Sequence, residues 1–249
     1  MSEASSSSSR AAVILRGLPL LARELVRTAR ARFAGEPDRM RAALEWVLER
    51  AEPGRPDSVL EVLDEFARSK RFLMNVGPVK GLLLDECVER AGPAARVLEL
   101  GCFCGYSAVR IARRLPQGQL VSVEKNPGSV EVARQVVDFA GLAERVEIRQ
   151  GASSDEIPRL AGAFDLVFID HHKPLYLADL QALEAHALLR PGSVVFADNV
   201  GPLFGAHEYL DYVRGCGHYE TRYHRSTVEY TELEDGAEIS VYRGPKAEA

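Results

Sequence analysis

Two apolar runs in this chain each end in acid. The first is Phe164-Asp165-Leu166-Val167-Phe168-Ile169-Asp170, followed by His171-His172-Lys173; the second is Ser193-Val194-Val195-Phe196-Ala197-Asp198-Asn199. Short apolar runs of this kind read as strands covered on both faces in a parallel sheet. Ligands of open α/β sheets bind outside the carboxyl ends of the strands, so Asp170, Lys173, Asp198 and Asn199 are expected in one crevice. Two carboxylates and an amide offer three oxygen donors, which suit a hard cation. The lysine adds a basic nitrogen beside it. Together these residues outline a reaction centre.

A second motif lies upstream. Glu99-Leu100-Gly101-Cys102-Phe103-Cys104-Gly105-Tyr106-Ser107 follows an expected strand and precedes an expected helix. Its pattern is E-x-G-x-x-x-G-x-S, not the GxGxxG of a dinucleotide turn. The next strand ends at Glu124, where a carboxylate can accept the hydroxyls of a ribose. Each half has a plain alternative, ordinary turn chemistry for Gly101 and Gly105 and a solvated strand end for Glu124. Their conjunction favours a nucleoside-bearing ligand that carries no phosphate, and S-adenosylmethionine fits. Cys102 and Cys104 read as small apolar fillers of a tight turn rather than as metal or redox ligands. His171 and His172 are adjacent on one loop, an arrangement that seldom brings two histidines to one zinc ion.

These motifs need a scaffold, and the bulk numbers supply one. At 249 residues with 46% hydrophobic and 27% charged side chains, the chain suits one α/β domain. A net charge of −5 argues against nucleic acid as a partner. The 4 cysteines, Cys87, Cys102, Cys104 and Cys216, form no CxxC pair, which favours a reducing, cytoplasmic setting. Residues 1–36 are expected to form a separate N-terminal segment. A disordered serine run, Ser5–Ser9, leads into a basic amphipathic stretch with Arg16, Arg23, Arg27, Arg30 and Arg32. Ala11–Leu21 is too short to span a bilayer. Two readings compete for this stretch: a helix on an anionic membrane surface, or a helix packed on the domain with solvated arginines. The second is favoured.

Hydrophobic periodicity predicts helices after Asp38, after Asp57 or Ser58 as cap, and over Val79–Arg90. Strands then alternate with helices. The strands are Arg96–Leu100, Gln119–Val123, Val146–Gln150, Phe164–Ile169 and Ser193–Ala197. The helices are Tyr106–Leu115, Ser129–Ala140, Ser154–Leu160 and Tyr176–Leu188. This order implies a doubly wound sheet. Tyr219–His224 and Ala237–Tyr242 read as a hairpin at one sheet edge around the turn Glu234-Asp235-Gly236.

Several ordered motifs resemble the catechol O-methyltransferase family: Met74-Asn75-Val76-Gly77, Val97-Leu98-Glu99-Leu100-Gly101, Cys104-Gly105-Tyr106-Ser107-Ala108-Val109-Arg110, Gly151-Ala152-Ser153, Asp170-His171, Ala197-Asp198-Asn199-Val200 and Glu229-Tyr230. The similarity runs from about Met40 to Pro245, within a domain expected over 37–249. It implies the Rossmann-like class I methyltransferase fold, a mostly parallel seven-stranded sheet with an antiparallel edge strand and helices on both faces. It also implies magnesium-dependent methylation of one hydroxyl of a catechol by a monomer or weak dimer. By the same resemblance, Val76, Glu99, Ser107, Glu124, Ser153 and Asp170 touch the methyl donor, with Met74 and Gly101 near its sulfonium and amino-acid end and His171 near its adenine. Asp170, Asp198 and Asn199 would hold Mg2+, Lys173 would be the base, and Glu229, with Lys173 and Asn199, would meet the substrate.

The chain also departs from that family. Lys125 follows the ribose acid where an apolar residue is usual, Phe72 and His172 stand where tryptophans wall the substrate, and Gly201-Pro202-Leu203-Phe204 replaces a differently spaced proline loop. Two alternatives therefore stand beside catechol methylation. One is methylation of another vicinal diol, such as a caffeoyl-type ester. The other is a non-enzymatic accessory role in trafficking, since the basic N-terminus and Glu184-Ala185-His186-Ala187-Leu188-Leu189 resemble the transmembrane O-methyltransferase branch.

Overall fold

The computed structural model describes residues 38–245; the segment expected over 1–36 lies outside the described residues. Three helices, α1 (Arg39–Arg50), α2 (Pro56–Ser69) and α3 (Gly77–Ala91), lead into the alternating part. That part runs β1 (Arg96–Leu100), α4 (Tyr106–Ala112), β2 (Gln119–Glu124), α5 (Pro127–Phe139), β3 (Val146–Gln150), α6 (Ser153–Glu156), β4 (Leu166–Ile169), α7 (Tyr176–Ala185) and β5 (Val194–Ala197). The chain closes with α8 (His207–Gly215), β6 (Tyr219–Thr227) and β7 (Glu234–Tyr242). Asp38 caps α1 as expected, its Oδ1 accepting from the amides of Met40 (2.9 Å) and Arg41 (3.1 Å). No helix among the described residues is long and apolar enough to cross a membrane.

The seven strands form one sheet in the order β3-β2-β1-β4-β5-β7-β6. Parallel pairing joins β1 to β5, and β7 enters antiparallel between β5 and β6. The last strand is thus the antiparallel one, and it lies one place in from the edge. The core follows from side-chain alternation. Val97, Leu166, Phe168 and Phe196 face the layer of α1 to α5. Leu98, Leu100, Val167, Ile169, Val195 and Ala197 face the layer of α7 and α8. Both faces of the central strands are covered, which is why their sequences are uninterrupted apolar runs.

Register places the chemistry. Leu100 pairs with Ile169, and Ile169 with Ala197. The residues that follow, Gly101, Asp170 and Asp198, therefore line up at one sheet end. The strand order reverses between β1 and β4, so this end is the switch point where a crevice opens.

Three local expectations are corrected. The α2 helix starts at Pro56 after Arg55, and the Ser58 hydroxyl instead accepts from the Glu52 amide at 3.0 Å, so neither Asp57 nor Ser58 is its cap. Proline at the first helical position supplies a preset φ and lacks the amide that a cap would satisfy. Glu234-Asp235-Gly236 is not the hairpin turn but the start of β7, with Gly236 opposite Arg225. The connection lies over 228–233, closed by the Val228 amide on the Leu233 carbonyl at 2.8 Å. Asp235 is fully buried and bound from three sides, which draws a turn-forming dipeptide into the sheet. The helix α8 was not expected at all.

Beside α3, Arg110 makes a bidentate pair with Asp85, Nε to Oδ1 at 2.9 Å and Nη2 to Oδ2 at 2.6 Å, with both residues 5% exposed or less. Removing one partner of such a pair strands the other charge. We expect Asp85→Ala to lower the unfolding free energy by about 3–5 kcal/mol in urea titrations.

Candidate active site at the strand ends

A cavity of about 720 Å³ opens over the tips of β1, β2, β4 and β5. Met74, Gly101, Glu124, Ser153, Asp170, His171, Lys173, Asn199 and Glu229 line it, all of them singled out from sequence. So do the three departures Phe72, Lys125 and His172, and Leu203-Phe204 of the altered loop. Glu99, Ser107 and Asp198 are not on the wall but buried, each no more than 5% exposed, and Val76, fully buried, lines a second cavity with Lys80 and Glu229.

Gly101 shows why the turn after β1 needs glycine. Its φ is +98°, and a Cβ there would lie 2.5 Å from the Asp170 carbonyl oxygen. A side chain would pay in strain and collide with backbone at the same time. The adjoining Phe103 amide donates to Glu124 Oε2 at 3.1 Å, which ties the turn to the end of β2. Cys102 and Cys104 are buried beneath it, and burial pushes their thiols up, Cys104 to about 12. That agrees with packing rather than reactivity.

Glu99 is fully buried, and burial pushes its carboxyl up to about 7 despite hydrogen bonds from Ser107 and Ser122. The Ser122 hydroxyl donates to Oε2 at 2.5 Å, while Oε1 has no partner. A buried acid with one open oxygen beneath a ligand cavity is suited to a cationic group. His171 is held from below: Nε2 lies 2.6 Å from Asp179 Oδ2, and the ring stacks on Tyr176 at 5.3 Å. Its Nδ1 has no partner.

The centre of the site is acidic. Lys173 extends from the short 3₁₀ turn Lys173–Leu175, its Nζ donating to Asn199 Oδ1 at 3.1 Å and lying 3.4 Å from Asp170 Oδ1. Asn199 itself takes a left-handed φ of +52°, a conformation that asparagine tolerates better than most residues. Its amide donates to Asp198 Oδ1 at 2.8 Å, and its Nδ2 to Asp235 Oδ2 at 2.7 Å. Burial raises the Asp170 and Asp198 carboxyls; Lys173 opposes the rise at Asp170 and Lys80 at Asp198, while Asp198 adds to it at Asp170 and Asp235 adds to it at Asp198. Asp198 Oδ2 is buried without a partner. Excess negative charge, a carbonyl-type oxygen on Asn199 and an orphaned carboxylate oxygen fit a hard divalent cation held by Asp170, Asp198 and Asn199.

Two buried residues here escaped the sequence reading, Lys80 and Asp235. The Lys80 Nζ lies 2.6 Å from Asp198 Oδ1, 2.5 Å from Glu229 Oε1 and 2.6 Å from Asp235 Oδ2. Burial works against its charge, but Asp198, Glu229 and Asp235 outweigh it and carry its pKa well above the usual value. Burial, then Asp198, raises the Glu229 carboxyl. A signal for Lys80 existed: it shares a helical face with Gly77, Gly81, Leu84 and Val88, all buried or apolar. Asp235 had none, because Asp-Gly reads as a turn.

Comparison with known proteins gives the family. A family model described as O-methyltransferase matches residues 54–205. A zebrafish (Danio rerio) protein named catechol O-methyltransferase B is 46% identical over 207 residues, 81% of this chain and 78% of that one. A human protein named transmembrane O-methyltransferase is 42% identical over 212 residues, 82% of this chain and 72% of that one. Among solved structures, the O-methyltransferase TomG of Streptomyces achromogenes, involved in tomaymycin synthesis and crystallised with SAM, aligns with a TM-score of 0.64. It is 27% identical and covers 74% of this chain and 89% of its own.

The Gly101 geometry yields a test. We expect Gly101→Ala to cost roughly 1–3 kcal/mol in unfolding titrations and to shift the backbone amide resonance of Asp170, against whose carbonyl the new methyl would press.

Proposed function

This chain belongs to the O-methyltransferase family, and we propose that it moves the methyl group of S-adenosylmethionine to one hydroxyl of a catechol in a magnesium-dependent reaction. The observation that carries this reading is the convergence of Lys173, Asp170 and Asn199 on the cavity that also holds the Gly101 turn and Glu124. Relatives named for catechol methylation support the substrate class. In this reading Glu124 meets the donor's ribose, Met74 and Gly101 lie near its sulfonium and amino-acid end, and Val76, Ser107, Ser153 and Asp170 also touch the donor. Glu99 faces the donor's ammonium, and His171 the adenine.

Asp170, Asp198 and Asn199 would hold the Mg2+. When bound, the ion supplies Lewis-acid polarisation of the acceptor and a preference for paired hydroxyls. Lys173, in its neutral form, accepts the acceptor's proton on Nζ. The phenolate oxygen forms a bond to the methyl carbon as the carbon–sulfur bond breaks, leaving a methyl ether and S-adenosylhomocysteine. Glu229 accepts from the other hydroxyl and sets which oxygen faces the methyl group. Phe72, Leu203 and Phe204 exclude water around the ring, and the Phe204 ring centroid lies 5.6 Å from the Lys173 Nζ. Most of the acceleration comes from holding oxygen and methyl carbon in line at near-attack distance. A second reading, an accessory role without turnover, rests only on the likeness of the basic N-terminal stretch and of Glu184-Ala185-His186-Ala187-Leu188-Leu189 to the transmembrane O-methyltransferase branch. The complete set of acid, amide and amine weighs against it.

Methyl transfer to dihydroxybenzoic acid decides between them. The wild type is expected to turn over only with Mg2+, and Asp170→Ala and Lys173→Met to lose at least about a hundredfold in kcat, the scale of a general acid–base contribution. Donor binding without turnover on several catechols would sink the catalytic reading. A pH dependence follows from Glu99. Its folded pKa is raised to about 7, so it gains charge as pH rises through that value. Donor affinity is therefore expected to rise between about pH 5 and 7 and then level off. Glu99→Gln should bind weakly and without that slope, as read by calorimetry.

A further inference from the structure

The reaction leaves one buried charge without a task. Lys80 is 1% exposed, sits in the first turns of α3 and points at no solvent. Its three partner oxygens come from three different elements: Asp198 after β5, Glu229 in the β6–β7 connection and Asp235 in β7. These carboxylates can each offer an oxygen within 4.8 Å of the others, an arrangement that suits a divalent ion as well as an ammonium. It adjoins the Asp170–Asp198–Asn199 set, and Asp198 belongs to both. An ion seated in this triad would draw Asp198 and Glu229 to itself and take Glu229 away from the acceptor.

An ammonium solves this differently. Its Nζ lies 2.5–2.6 Å from one oxygen of each acid, and its dehydration is met once, on folding, whereas Mg2+ dehydrates reluctantly and demands near-octahedral geometry. Lys80 takes Oδ1 of Asp198 and leaves Oδ2 without a partner. We propose that Lys80 is a tethered cation that fills the Asp198–Glu229–Asp235 triad, limits the strand ends to one divalent ion, and turns Asp198 Oδ2 toward it. Lys80 is a positioning residue in this account, and the account rests on Asp170, Asp198 and Asn199 being the cation ligands. Asn199 and Gly201 donate to Asp235, so the same triad also fixes the loop after β5.

Mn2+ binding to the purified protein, counted by electron paramagnetic resonance without donor or acceptor, tests this. The wild type is expected to bind one ion per chain. Lys80→Met, of similar length and no charge, is expected to bind one more than the wild type, and Lys80→Met/Asp235→Asn to return to the wild-type count. A folded Lys80→Met variant with an unchanged count overturns the proposal. A wild-type count of zero contradicts the cation-ligand reading instead, while the difference between variant and wild type still decides the role of Lys80. Should the methionine variant not fold, the wild type decides alone. The protected ¹⁵Nζ signal of Lys80 is expected to persist when Mg2+ is added, and its disappearance would show that the ion displaces the ammonium.

Discussion

Burying several acids under one cavity is the constraint on which the strand ends of this protein depend. Asp198 and Asp235 are fully enclosed and Glu229 nearly so, and isolated carboxylates in such places would lose their charge or unfold the site. The Lys80 ammonium is the compensation. It forms an ion pair with an oxygen of each, and through them it ties α3 to the loop after β5, to β7 and to the β6–β7 connection. Breaking a buried pair by removing one partner is far more costly than never having built it. The arrangement therefore trades some stability for a single geometry at the site.

That geometry is possible because of how the sheet is wound. Parallel register sets Gly101, Asp170 and Asp198 side by side, and the reversal of strand order at β1 and β4 leaves room above them. The insertion of β7 beside β5 then brings Asp235 against Asn199 and Gly201, with Glu229 just upstream in the connection. Gly101 and Glu124 thus stand on one side of the switch point, Asn199 and Asp235 on the other, and Asp170 lies between them. Lys173 stands at the same junction, close to Asn199 on one side and Asp170 on the other.

The alternating strands and helices were legible in the sequence because buried parallel strands write themselves as apolar runs, and the acids at their tips could be placed from that alone. Resemblance extended the reading to Glu229, which lies in an irregular connection that no periodicity marks. What stayed hidden has a common cause. Asp235-Gly236 carries strong turn propensity, and tertiary ion pairing overrode it. The helical face of Lys80 marks it as buried, but its partners, more than a hundred residues away in the chain, are not written there. The helix over 207–215 carried a local signal that the reading passed over, since Tyr209, Leu210 and Val213 are spaced as one helical face and pack on the second core layer. Local signals report local structure, and the pairings of Asp235 and Lys80 are long-range.

A crystal structure of the ternary complex with a non-reactive donor analogue, Mg2+ and a nitrocatechol addresses the central claim most directly. The account predicts one metal ion contacting Asp170, Asp198 Oδ2 and Asn199, with the Lys80 ammonium still seated among Asp198, Glu229 and Asp235, and Glu229 on the second hydroxyl of the ring. An ion inside the Asp198–Glu229–Asp235 triad, with Lys80 displaced, would contradict it.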